Sequence, residues 1–378
     1  MEPVAAFPSG LGRAECRDLA ALYRRPGLFV TCYLDTNGSA EDVGRRIESR
    51  WTTMERELRQ RGVGEPTIDS LARSVSGVPS LRQRAESVCV LACDGDVLLV
   101  ESGPAPLDRD FAEVGPLPVL GPVIGWRQQS ITYIIVLCDL AGADIVVHGH
   151  GNEVVLLGGE RDRHDPLLHK AHAGGWSYPR YERRVETTWE RNARDVLDVV
   201  NDLVVHEDPR LVMFGGEPRA CGLLRKEAGP AVQALLEEVP LSRAPDGRYK
   251  HEPPAVRAAV ERVVARDTTK LLDHYLEMKA RSLGVDGPGP VLAALGASQV
   301  ETLLLYESLD DEPTAYMSRD PVSAALDRDQ VVAFGGDPIA ARLADVALAA
   351  TFLTGGRVRM VRSAPEQGAM AAVLRFSG

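Results

Sequence analysis

The chain is expected to be an α/β protein, built as three successive α/β domains. Three observations predict it. Apolar runs of strand length alternate with longer stretches of helical pattern along the whole chain. Two Gly/Pro-rich joints, Gly103 to Gly125 and Gly287-Pro288-Gly289, divide that alternation. The length, 378 residues, suits two or three domains of ordinary size. The boundaries these joints predict are 1–127, 128–284 and 285–378.

In the first segment, residues 12–24 read as an amphipathic helix ended by Pro26-Gly27, and 28–34 as a strand. Asp35-Thr36-Asn37-Gly38 makes a turn, and Ser39 is placed to cap a helix over about 40–62. That helix carries a charged face of Arg45, Arg46, Glu48, Arg50, Glu55 and Arg59, read first as a solvated face and second as a contact for RNA or a partner. A shorter helix follows over 66–76. Ser87–Cys93 and Asp96–Glu101 form a hairpin around Asp94-Gly95. Residues 103–125 read as irregular edge and linker.

The middle segment opens with the apolar run Ile131–Leu140, suited to a central strand, then short strands at 144–148 and 153–157. After a long loop come a helix over 182–206, a strand 211–214, helices over 217–237, a short strand near 238–242 and a long helix over 254–282. The last segment alternates helix 290–298, strands 302–306 and 314–317, helix 321–327, strand 330–334, helix 338–352, and strands 357–361 and 370–376, a small α/β sandwich. Phe214-Gly215-Gly216-Glu217-Pro218 and Phe334-Gly335-Gly336-Asp337-Pro338 are near copies. Each is expected to end a strand and open a helix. Each carries an acid where a phosphate cradle would need an anion, so both read as turn chemistry.

Hydrophobic residues at 44% and charged residues at 26% fit a globular chain. A net charge of −11 excludes a protein that coats nucleic acid through bulk charge, and leaves local docking onto structured RNA open. The Met1-Glu2 start has no basic region followed by an apolar one, so no signal peptide is expected. The longest apolar run falls far short of the ~20 residues a membrane span needs. The six cysteines, Cys16, Cys32, Cys89, Cys93, Cys138 and Cys221, contain no Cys-x-x-Cys and read as reduced core thiols of a cytoplasmic protein.

The most informative stretch runs from His169 to Asn192. Gly174-Gly175 gives backbone freedom, and Trp176 follows in a segment without apolar periodicity. Pro166 to Tyr181 holds no acid, but it holds His169, Lys170, His172 and Arg180. A neutral-to-basic, Gly-hinged, aromatic tip suits RNA contact through phosphates and base stacking.

Gly174, Gly175, Trp176, Ser177, Arg180, Tyr181 and Arg183 resemble the tip of the archaeo-eukaryotic class 1 release factors: Gly-Gly-Gln-Ser, two residues, Arg, an aromatic, one residue, Arg. Every element matches except Gln, which is Trp176. The bacterial branch of that family, with its Pelota-like and Balon-like hibernation and rescue factors, is similar along most of the chain. The resemblance implies an RNase H-like middle domain, with the Gly-Gly loop extended from it, and a final domain whose closing strand is GAMAAVLRF. It also implies a ribosomal role, occupying the A site of the 70S ribosome, with rRNA of the peptidyl-transferase region as contact. Delivery by a translational GTPase such as elongation factor Tu and a monomeric state are implied as well. The Asn-Ile-Lys-Ser loop with which that family reads stop codons is absent, so stop-codon reading is not expected.

In the family's Gly-Gly-Gln loop, a backbone amide and a small polar side chain meet the peptidyl-tRNA ester where water attacks. Trp176 changes that chemistry. An indole donates one hydrogen bond and accepts none, and it is larger than Gln. It stacks well on bases. The expected function is therefore a ribosome-binding factor that holds or silences an idle or stalled ribosome; the alternative is a peptidyl-tRNA hydrolase that rescues it. A third class shares the fold without a ribosomal role. No catalytic residue is assigned. His148, His150, His164, His169 and His172, with Asp162 and Asp165, match no defined ligand spacing, so neither metal nor cofactor is expected. Ser177 lies in no Gly-x-Ser-x-Gly turn.

Overall fold

The computed structural model describes residues 11, 13–36, 43–77, 86–104, 107, 109–138, 143–149, 152–156, 182–241, 254–306, 313–361 and 370–376. They form two compact units, one of Met1–Gln128 with Thr268–Gly378, the other of Gln129–Asp267.

The first unit begins with α1 (Arg13–Arg24), β1 (Phe29–Asp35), α2 (Val43–Gln60), α3 (Glu65–Gly77), β2 (Ser87–Cys93), β3 (Asp96–Gly103), β4 (Phe111–Gly115) and α4 (Gly121–Gln129). Its strands form an antiparallel sheet ordered β3-β2-β1-β4. The apolar positions of α2 and α3, among them Ile47, Trp51, Leu58, Ile68 and Leu71, pack on Val30, Cys32, Leu34, Val88 and Val90. The Asp94-Gly95 hairpin is as the sequence predicts, with φ of 50° and 93° at its two turn residues, the left-handed pair that a two-residue loop requires. Residues 103–125 are not an irregular linker. Phe29–Tyr33 of β1 pairs with β4, and α4 follows. The reason this was hidden is that α4 is buried nearly all round: Pro122, Val123, Ile124, Trp126 and Gln128 leave no polar face to mark a helical period.

The second unit holds β5 (Tyr133–Cys138), β6 (Ala143–Gly149), β7 (Asn152–Leu156), α5 (Glu182–Glu207), β8 (Leu211–Gly216), α6 (Pro218–Glu227), α7 (Pro230–Leu235), β9 (Leu236–Glu238) and the first part of α8 (Pro254–Ala280). The sheet order is β7-β6-β5-β8-β9. The first three strands form an antiparallel meander, and β8 and β9 add in parallel to β5. Counted within the unit this is 3-2-1-4-5, the RNase H-like arrangement. Period-two alternation along β5 serves both faces. Ile134, Val136 and Cys138 pack with Val196, Val200 and Leu224 of α5 and α6. Tyr133, Ile135 and Leu137 pack with Val256, Ala259 and Val263 of α8.

The chain returns to the first unit through the rest of α8, then β10 (Gly284–Asp286), α9 (Pro288–Gly296), β11 (Val300–Tyr306), β12 (Thr314–Arg319), β13 (Val322–Ala325), α10 (Arg328–Ala333), β14 (Ile339–Arg342), α11 (Leu343–Leu353), β15 (Arg357–Val361) and β16 (Met370–Leu374). One sheet is ordered β10-β16-β11-β15, the other β13-β12-β14. Three expectations are corrected here. Residues 322–325 are a strand paired with β12, not a helix. Residues 328–333 are a helix, not a strand, because the Asp327 carboxylate accepts the Asp329 amide at 2.9 Å and caps it. The helix expected over 338–352 starts only at Leu343, since 339–342 pairs with β12. The α9 and α11 helices share one cluster with the N-terminal segment: Leu19, Tyr23, Phe29 and Leu91 with Leu292, Leu295, Leu348 and Phe352. Tyr23 and Phe352 stack at 6.0 Å.

Candidate functional site

The frame of the candidate loop is the edge of the second unit's sheet. Among the described residues β7 is the edge strand, paired with β6. The chain leaves it at Leu156 and re-enters described structure at Glu182, the start of α5. On the inner face of α5, Ala193, Val196, Leu197, Val200 and Leu203 are buried against the sheet. On its outer side Arg194 pairs with Glu227 of α6 at 3.5 Å. The eight residues singled out for RNA contact, His169, Lys170, His172, Gly174, Gly175, Trp176, Ser177 and Arg180, lie outside the described residues. So do His150, Asp162, His164 and Asp165.

His148 is described and is engaged within the sheet. It lies opposite Tyr133 in the β5–β6 register and stacks on that ring at 4.5 Å, with 18° between the planes. Among the described residues no three His, Cys, Asp or Glu side chains cluster as metal ligands. Among them, too, no helix is long and apolar enough to cross a membrane.

The two Phe-Gly-Gly copies part company. The first ends β8 and opens α6 as expected. Glu217 is the cap residue, and its carboxylate accepts the Ala220 amide at 2.8 Å, so the helix N-terminus is already occupied by an acid. Gly216 has φ of 124°, and a Cβ there would lie 2.0 Å from the Cys138 carbonyl oxygen. The second copy does the opposite. Phe334 closes α10, and Gly335 follows in the left-handed conformation, φ 79°, that suits a helix end. The pentapeptide is a turn in both places, but local sequence alone does not say which element precedes it.

Part of the charged face of α2 is engaged in ion pairs. Arg50 reaches Asp35 at 3.1 Å and Asp110 at 3.3 Å. Arg59 joins Glu55 and Glu65, each at 2.8 Å. Arg50 and Arg59 are thus engaged in ion pairs within the protein. Arg46 and Arg56 form no ion pair among the described residues and are exposed. Of the thiols, Cys32 is pushed up to about 12 by burial, and Cys89 is raised still further by the same cause.

Residues 132–281, which contain the sheet, the loop and α5, match the family model of bacterial archaeo-eukaryotic release factor family 2. Over this segment the chain is similar to the bacterial archaeo-eukaryotic release factors. It is similar over almost its whole length to the Mycobacterium tuberculosis H37Rv protein Rv2629, at 25% identity over 371 residues, covering 93% of this chain and 94% of that protein. The corresponding protein of M. tuberculosis CDC 1551 matches equally. Among solved structures, the archaeal translation termination factor aRF1 aligns at 14% identity and a TM-score of 0.24, over 96% of this chain and 98% of its own. Archaeoglobus fulgidus Pelota aligns at 15% identity and a TM-score of 0.36, over 76% and 80%.

Proposed function

We propose that this protein is a ribosome-binding translation factor that occupies the A site and brings the Gly174-Gly175-Trp176 tip near the peptidyl-transferase centre, holding an idle or stalled ribosome. One observation carries the reading. The interval that matches the release-factor family model, 132–281, contains the Gly-Gly-x-Ser-x-x-Arg-aromatic-x-Arg pattern with Trp176 in place of Gln. The family supplies the ribosome, and the substitution argues for anchoring over hydrolysis. An indole cannot accept a hydrogen bond from an attacking water, while it offers a large face for base stacking. The contact residues in this reading are Gly174, Gly175, Trp176, Ser177 and Arg180 with His169, Lys170 and His172. Delivery by elongation factor Tu, a cytoplasmic setting and a monomeric state belong to the same proposal.

Sedimentation with vacant and translating 70S ribosomes tests it, comparing the wild type with Trp176→Ala and Gly175→Ala. Loop-dependent binding without peptide release is expected. Release of peptide from peptidyl-tRNA by the wild type would move the protein to the rescue hydrolases. Absence of co-sedimentation would sink both readings.

A further inference from the structure

Two of the cysteines are placed for covalent chemistry with each other. Cys138 ends β5 and Cys221 lies on α6, and their Sγ atoms are 3.4 Å apart in a buried setting. Cys138 Sγ also lies 3.5 Å from the Gly215 carbonyl oxygen. With the Cys138 thiol donating to that carbonyl, its sulfur is left to accept the Cys221 S–H.

The frame holds this contact. Cys138 is in register with Gly216 across the parallel β5–β8 pair. The Glu217 amide donates to the Cys138 carbonyl at 2.9 Å, and the same Glu217 caps the helix that carries Cys221. Cys32, Cys89 and Cys93 are not arranged this way. Cys32 and Cys89 sit on paired strands but opposite Val90 and Tyr33 respectively, so they face opposite sides of the sheet and join different clusters. Cys93 Sγ lies 3.5 Å from the Asp94 carboxylate.

We propose that Cys138 and Cys221 are a reversible disulfide site, closed by hydrogen peroxide. Cys221, 7% exposed against 3% for Cys138, meets the oxidant first. Its thiolate attacks one peroxide oxygen and the O–O bond breaks. Cys221 sulfenic acid forms, and the departing hydroxide takes up the thiol proton as water. The Cys138 sulfur then attacks the Cys221 sulfur. The S–O bond breaks, and the second hydroxide leaves as water with the Cys138 proton. Two thiols have lost two electrons, and one peroxide has become two waters. The sulfurs must close to the disulfide length of about 2.05 Å, a movement within reach of small side-chain rotations. The ring so closed contains β6, β7, α5 and β8, so the bond would brace the segment from which the candidate loop leaves.

The test uses the full-length protein in its native state. Peroxide treatment is followed by alkylation of free thiols, digestion and mass analysis. One crosslinked peptide pair containing Cys138 and Cys221 is expected. It should lack two hydrogens, be reversed by dithiothreitol, and be accompanied by a rise in unfolding temperature. Cys138→Ala and Cys221→Ala are each expected to lose the crosslink while the other four thiols respond as in the wild type. Should either variant unfold, the wild-type peptide map decides alone. Full alkylation of Cys138 and Cys221 after peroxide would overturn the proposal. So would sulfinic acid at Cys221 without a crosslink, or a crosslink to another cysteine.

Discussion

Gln128, at the end of α4, bonds to the edge strand β15 with both ends of its side-chain amide. Its Nε2 donates to the Val358 carbonyl at 2.7 Å, and its Oε1 accepts the Met360 amide at 2.9 Å. The side chain is buried, so a single glutamine stands where another strand would otherwise supply the hydrogen bonds. Gln128→Leu removes both partners and leaves a buried carbonyl and a partly buried amide unpaired. A loss of about 3 kcal/mol is expected, read as a drop in urea midpoint. A change under about 0.5 kcal/mol would mean that water replaces the amide.

The two Phe-Gly-Gly turns give a paired prediction. At Gly216 a methyl would collide with the Cys138 carbonyl, in a backbone conformation unfavourable to any side chain. At Gly335 the φ is also positive, but the space is open. Gly335→Ala is expected to cost about 1 kcal/mol, from the backbone conformation alone. Gly216→Ala is expected to cost at least ~3 kcal/mol or to prevent folding. Circular dichroism melts of the two variants side by side measure the difference.

Tyr23 and Tyr33 are both fully buried, yet only one is satisfied. The Tyr33 hydroxyl donates to the Val119 carbonyl at 2.7 Å, whereas the Tyr23 oxygen has no hydrogen-bond partner among the described residues. Tyr23→Phe is therefore expected to be neutral or to stabilise by about 1 kcal/mol, and Tyr33→Phe to destabilise by about 1–2 kcal/mol. Equal costs for the two would show that Tyr23 has a partner after all.

The same burial makes the fold sensitive to alkali. Cys32 is raised from 9.0 to about 12 by burial, and Tyr23 is raised well above 10.0, first by burial and then by the Asp345 charge. Each group keeps its proton in the fold to a higher pH than in the unfolded chain. Above the unfolded value, the unfolded chain has released protons that the folded one retains, so stability falls as pH rises. The loss is expected to begin near 9.0 through the thiol and to deepen above 10.0 through the tyrosine. Urea titrations across this window check it, and Cys32→Ala should make the fall above 9.0 shallower without moving its onset, since the buried Cys89 thiol is raised from the same value.

Trp176→Gln restores the side chain that the release-factor pattern carries. Under the proposed reading the variant still sediments with ribosomes and releases peptide from stalled peptidyl-tRNA above the wild-type background. Equal release by both proteins would remove the argument from the indole.

The second unit was legible because its strands bury alternate faces and its helices keep one polar side. The run Ile131–Leu140 contains β5, Tyr133–Cys138, and the stretch read as a helix over 182–206 is α5, Glu182–Glu207. Legibility failed where burial erased the pattern, as in α4, and where a short segment had two readings of similar strength. Val322–Ala325 is a strand because β12 lies beside it, and Arg328–Ala333 a helix because Asp327 caps it. Neither partner is visible from the segment itself. The candidate tip was legible as a motif only, since Gly174, Gly175 and Trp176 have no apolar periodicity to tie them to the frame. The contact of Cys138 with Cys221 was not legible at all, because the two are 83 positions apart.

The first unit is discontinuous in sequence, and this bears on the order in which the protein is made. The RNase H-like unit is a single stretch, finished by Asp267, and its two apolar layers draw only on residues within it. Tyr23 and Phe29, by contrast, share a cluster with Leu348 and Phe352 near the other end of the chain. During synthesis the inserted unit can close while the N-terminal segment still waits for its partners. A growing chain therefore carries a completed middle and an unfinished beginning, and the last elements translated are the ones that seal the first.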